Sequence, residues 1–239
     1  NRTINKKTKN VVKAIIPFHT FGHSCKIYKL KKIADSYNIK VIEDAAEALG
    51  SYYKNKHLGT FGQIGILSFN GNKIVTTGGG GAILTNNNLI AKNARKMIQV
   101  SKIPHKWKFK YKEIGYNYKM PNINAALGCA QLKRLNKNLK RKRIILKKYK
   151  KIFSKYKNIN VVEEPKGCKS NYWLQNIVLK GKNKKFIEKL FNMANQRNIT
   201  LRPAWSLLHK IDYLKNYPKD NLSNSNSMYN KIISLPSNF

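Results

Sequence analysis

The chain has 239 residues, 41% of them hydrophobic and 10% aromatic, which supports a folded core and excludes a disordered or low-complexity chain. Lys and Arg total 48 against 10 Asp and Glu, a formal net charge of +38. Such an excess marks a dedicated polyanion binder only when it is gathered on one face, and here it is not: the basic residues run from end to end.

Lysine outnumbers arginine, and Asn, Ile and Tyr are plentiful. That pattern fits a drift in composition, so any nucleic-acid affinity is expected to be weak, non-specific and steeply salt-dependent. Cys25, Cys129 and Cys168 lie far apart and lack metal-ligand spacing, so neither a disulfide framework nor a metal site is expected. No apolar run reaches the length of a membrane span and no signal peptide opens the sequence, which makes a cytoplasmic location the expectation.

In chain order, Val11 to Phe18 (VVKAIIPF) has the pattern of a buried strand. Ser24 is placed to cap a helix running through Tyr37, with Ile27, Leu30, Ile33 and Ala34 on one face. Ile39 to Glu43 is a second buried strand, so the chain opens strand, helix, strand, the order of a right-handed parallel crossover. Ile64 to Phe69 and Gly81 to Thr85 are two further strands, and Asn88 to Val100 a helix. Pro104 to Met120 has no clear period and is expected to be a long loop of functional or interfacial use. One long helix is expected from Asn122, with Leu132, Leu135, Leu139, Leu146, Tyr149 and Phe153 on its apolar face. A smaller α+β region follows: strands at Ile159 to Val162, Tyr172 to Leu179 and Ile199 to Arg202, and a helix from Lys184 to Gln196. Asn221 to Ser227 is expected to be a polar loop.

Three features sit at predicted strand ends, where open α/β sheets collect their ligands. The first is Val41-Ile42-Glu43-Asp44-Ala45-Ala46-Glu47, an apolar strand running into acids that must find partners or shift their pKa. A turn-forming Asp is the commoner explanation of such an acid taken alone. The second is Lys73, between a strand and the run Gly78-Gly79-Gly80-Gly81. A lysine held partly out of water becomes a nucleophile near neutral pH, and glycines let backbone approach a ligand. An exposed loop lysine is the bland alternative. The third is Asn117, just ahead of the long helix, where it can serve a phosphate or simply make a turn. An acid, a nucleophilic lysine and phosphate donors suit pyridoxal phosphate.

With those residues in view, VIEDAAEALGS, LGTFGQIGILSFNGNKIVTTGGGG and EIGYNYKMPNINAALGCAQL resemble the DegT-type sugar aminotransferase family. The resemblance runs from about Ala14 through Pro236 and is most specific between Pro17 and Leu132. It implies PLP fold type I: a three-layer αβα large domain in residues 1–134, then a linker helix and a small α+β domain in residues 135–239. It implies that Lys73 bonds the cofactor, Asp44 pairs with the pyridine nitrogen, Glu47 (Gln in many relatives) lies near the ring and its O3′, and Ser68 binds the phosphate. Asn117 would reach the phosphate of a neighbouring subunit in a homodimer with shared active sites. His19, Tyr116 and Arg202 are the implied substrate contacts. The reaction implied is transfer of an amino group from an amino-acid donor, glutamate, to a keto-sugar nucleotide; dehydratase relatives carry histidine in place of the lysine. The four-glycine run is most similar to the branch acting on UDP-linked 4-keto-6-deoxy sugars. Where relatives often have His-Asp before the EIGYN segment, this chain has Tyr111-Lys112. Set against the family, the resemblance begins inside the large domain, and the N-terminal portion that supplies further phosphate donors and a stacking aromatic is expected to lie outside this sequence. The alternative is an inactive fragment acting as a basic binding protein.

Overall fold

The computed structural model describes residues 3–181 and 184–238. Strand β1 (Ala14–Ile15), helix α1 (Ile27–Ser36) and strand β2 (Lys40–Asp44) make the expected parallel crossover. The strand expected over Val11 to Phe18 is only two residues long, although Pro17 still accepts a hydrogen bond from the Asp44 amide at 2.9 Å. Ser24 does not cap α1. Its hydroxyl donates to the Cys25 carbonyl, and Lys26 holds the cap position without a side-chain bond.

A hairpin the sequence did not announce follows, β3 (Tyr52–Tyr53) and β4 (Lys56–His57). Lys54 and Asn55 turn it with φ of 46° and 63°, the left-handed pair that a two-residue hairpin loop needs. Strand β5 (Ile64–Ser68) joins β2 in parallel, and β6 (Gly81–Leu84) joins β5 antiparallel, giving the order β1-β2-β5-β6. Burial alternates along both strands, with Val41 and Glu43 of β2 and Gly65 and Leu67 of β5 on the buried side. Ile27 and Ala34 from α1 pack with Val41, Ala45, Leu58 and Leu67 in the first core.

Helix α2 (Asn88–Met97) is capped by Asn87, whose side chain accepts from the Ile90 amide at 3.0 Å. The segment expected to be one long loop contributes to a small hairpin, β7 (Lys102–Ile103) with β8 (Lys110–Tyr111). The single long helix is two, α3 (Asn122–Lys133) and α4 (Leu135–Phe153), interrupted at Arg134.

Strands β9 (Ile159–Val161), β10 (Cys168–Lys169) and β11 (Gln175–Leu179), helix α5 (Lys184–Gln196), strand β12 (Arg202–Pro203), helix α6 (Ser223–Tyr229) and strand β13 (Ile232–Leu235) complete the chain. The expected polar loop at 221–227 is thus largely helical. The second sheet is antiparallel, in the order β12-β13-β11-β9. Its core of Ile177, Leu179, Ile233 and Leu235 is covered by Tyr149 and Phe153 of α4 and by Ile187, Leu190 and Phe191 of α5.

A buried polar clasp ties the two cores together. Ser51 and Ser170 both donate to the Gly22 carbonyl, at 2.7 and 2.9 Å. The Asn171 side chain donates to the carbonyls of Glu47 and Leu49, at 2.8 and 2.9 Å. Gly22 has φ +85°, and a Cβ there would stand 1.9 Å from Asn171 Oδ1. Among the described residues no helix is long and apolar enough to cross a membrane.

Candidate active site

Strand β2 delivers Glu43 and Asp44 at its end, and the turn after it delivers Glu47. Side chains alternate along a strand: Glu43 enters the core, whereas Asp44 is half-buried on the other side. The Glu43 carboxylate accepts four hydrogen bonds: from Gly59, Phe61 and Gly62 amides at 2.8, 2.5 and 2.7 Å, and from His19 Nε2 at 3.0 Å. His19 Nδ1 accepts from the Cys25 amide, which leaves Nε2 as the donor. Burial alone pushes the Glu43 carboxyl up, but the His19 and amide bonds together hold it below the usual carboxylate range.

His19, expected as a substrate contact, is 0% exposed here, and both ring nitrogens are engaged, so in this structure it braces Glu43.

Glu47 is buried too, with fewer donors. Its Oε2 accepts from the Phe21 amide at 2.6 Å, and its Oε1 lies 3.9 Å from Lys73 Nζ. Burial pushes this carboxyl up to about 7, with a further upward push from Asp44; the Phe21 amide and the Lys73 ammonium pull the other way. Asp44 Oδ1 accepts from the Ala46 amide at 3.1 Å, a turn-forming bond of the kind its sequence position allows.

Lys73 sits on the loop between β5 and β6. Its amide donates to Asn70, and the Thr77 amide returns to Phe69, which closes the loop base. The Lys73 side chain is only 13% exposed. Burial lowers its pKa, opposed by the carboxylates of Glu47 and then Asp44. Its Nζ lies 4.0 Å from the centroid of the Trp173 ring. Trp173 stacks on Trp205, and Trp205 on Phe21.

The structure therefore brings Lys73, Asp44 and Glu47 together. Ser68 stands at the end of β5, opposite Gly81, and its hydroxyl accepts from the Asn70 amide at 3.3 Å. Asn117 is exposed and pairs through its backbone with Gln99. It lines a cavity of about 830 Å3 with Gly79, Gly80, Met120 and Asn124; Lys73, Asp44 and Glu47 do not line that cavity. Tyr116 stacks on Tyr118, and Arg202 is exposed on the edge strand β12. No hydrogen bond, ion pair or ring contact among the described residues joins Tyr116, Asn117 or Arg202 to Lys73, Asp44 or Glu47. Sequence reasoning missed Trp173. The indole lies 100 residues beyond Lys73 in sequence, too far for any local pattern to link the two.

A model described as the DegT/DnrJ/EryC1/StrS aminotransferase family matches residues 1–238. The GDP-perosamine synthase of Vibrio cholerae is 32% identical over 237 residues, which are 99% of this chain and 63% of that protein. The UDP-4-amino-4,6-dideoxy-N-acetyl-beta-L-altrosamine transaminase of Campylobacter jejuni is 32% identical over 224 residues, 90% of this chain and 58% of that protein. Among solved structures, Helicobacter pylori PseC, an aminotransferase involved in the biosynthesis of pseudoaminic acid, superposes with a TM-score of 0.87 at 25% identity, covering 98% of this chain and 62% of that one. The chain thus spans less than two thirds of the length of each of these relatives.

Proposed function

Because the chain belongs to the DegT/DnrJ/EryC1/StrS aminotransferase family, we propose that it works as a pyridoxal-phosphate-dependent aminotransferase, moving an amino group from glutamate to a keto-sugar nucleotide for cell-surface glycan synthesis. Its fold is the α/β fold type I of those enzymes. The observation that carries the proposal is the largely buried Lys73 amine, held among Glu47, Asp44 and an aromatic wall.

The donor set fits pyridoxal phosphate: a primary amine of lowered pKa, a carboxylate at a strand end and a hydroxyl on the neighbouring strand. When bound, the cofactor supplies an electron-withdrawing ring that stabilises charge on the carbon bearing the migrating amino group. In this reading Lys73 would hold the cofactor through its amine and would carry a substrate proton when that amine is free. Asp44 would serve the ring nitrogen, Glu47 the ring side of the site, and Ser68 the phosphate. Asn117, exposed beside the glycine run, would serve the phosphate of a second copy in a homodimer. Residues 1–134 form the cofactor-binding domain and residues 135–239 the linker helix and small domain, and the enzyme works in the cytoplasm.

The test is spectroscopic. Purified protein incubated with pyridoxal phosphate is expected to turn yellow, and the colour is expected to be borohydride-sensitive and absent in Lys73→Ala. Colour that persists in the variant removes Lys73 from this role. The branch is tested by offering UDP- and GDP-linked 4-keto-6-deoxy sugars in parallel; the four-glycine run predicts preference for the UDP sugar.

A further inference from the structure

The Trp173 residue is 3% exposed, and four contacts fix its place. Its Nε1 donates to the Asn72 carbonyl at 2.7 Å, directly beside Lys73. Its amide donates to Asn171 Oδ1, and its carbonyl accepts from Lys142 Nζ, each at 2.9 Å. Its ring lies parallel to Trp205 within 5°, with centroids 6.1 Å apart. Held this way, the indole face meets Lys73 Nζ at 4.0 Å, while Glu47 Oε1 stands 3.9 Å from the same nitrogen.

A ring face and a carboxylate favour the same species. The quadrupole of the indole attracts a cation, and the carboxylate attracts it by charge. Neither attraction survives when the nitrogen is uncharged. Asp44, the other charged group facing Lys73, acts in the same sense as Glu47.

We infer that Trp173 and Glu47 form a resting site for the free ammonium of Lys73, with Trp173 as a positioning residue that keeps the unbonded amine next to the place where it works. The purpose of such a site rests on the proposed function: a lysine bonded in one stage of a reaction and free in another needs a defined position when free. The Nε1 bond to Asn72 adds a second effect, since it anchors the backbone next to Lys73 to the same ring.

The experiment is trace labelling with an amine-acylating reagent across a pH series, read at each lysine by peptide mass spectrometry. No cofactor is added, so the result does not depend on whether the chain binds pyridoxal phosphate. In Trp173→Leu, Lys73 is expected to become reactive at lower pH, with labelling at neutral pH raised about threefold or more by loss of the cation–ring attraction. Trp173→Phe keeps a weaker ring face and is expected to shift less, and it decides the matter if the leucine variant does not fold. Glu47→Gln is expected to move Lys73 in the same direction. Lys31 and the buried Lys142 are expected to keep their wild-type labelling, whereas a merely structural effect would raise Lys142 as well. An unchanged or raised midpoint for Lys73 in both Trp173 variants overturns the inference.

Discussion

Glu43 and Glu47 lie four residues apart and both are buried, yet their carboxyl pKa values are driven in opposite directions. Glu43 is surrounded by three amides and His19 and stays ionised. Glu47 receives one amide and the distant edge of an ammonium, and its carboxyl is pushed up to about 7. Burial pushes both carboxyls up; what separates them is the number of N–H groups aimed at each to oppose it. The difference separates two tasks. Glu43 is an anion around which the 59–62 turn is built, and Glu47 is a carboxyl held near neutrality 3.9 Å from Lys73 Nζ.

The contrast breaks most visibly at Glu43. In Glu43→Gln an amide NH2 faces inward-pointing donors, and a loss of about 3 kcal/mol is expected in a urea melt at neutral pH. Because the folded pKa of Glu43 is depressed, its contribution is present above the unfolded value near ~4.3 and is lost as pH falls through the folded value. The gap between variant and wild type is therefore expected to narrow in acid. A variant as stable as wild type at pH 7 would mean the four bonds contribute nothing net.

Glu47 has the opposite sign. Its folded pKa of about 7 exceeds the unfolded value, so its contribution is fully present below the unfolded pKa and lost as pH rises through 7. Glu47→Gln, which keeps the shape and removes the titration, is expected to gain about 1–3 kcal/mol relative to wild type between pH 4.5 and pH 8. A gap that stays flat across that range would place Glu47 with Glu43. The smallest effect is expected at Asp35, an exposed carboxylate paired with Lys31 at i,i+4. Asp35→Ala is expected to change stability by less than about 0.5 kcal/mol, and by less again in high salt, which sets the scale for an acid outside the core.

The parallel crossover, β5, β6 and helices α2 and α5 were legible from their local apolar spacing alone. The β3–β4 hairpin was not, because its turn uses Lys54-Asn55 without glycine. The break at Arg134 was invisible because helical spacing of leucines continues across it. Within the site, Lys73 and Asp44 could be singled out by their places at strand ends. The fate of Glu43 and His19 could not: nothing local says that a loop 16 to 19 residues later will turn three amides onto one carboxylate. Trp173 was hidden for the same reason, since a contact 101 residues long in sequence leaves no local period.

That long contact also has a consequence in time. The indole bond to Asn72 and the Asn171 bonds to Glu47 and Leu49 all reach back to early-made chain from much later residues. At typical synthesis rates Lys73 is made about 5–20 s before Trp173. During that interval the nascent chain can pair β2 with β5 and turn its amides onto the Glu43 anion, but the wall against which Lys73 rests does not yet exist. The Glu43 anion finds all its donors between His19 and Gly62, whereas Lys73 meets its aromatic wall only when later chain folds back over it.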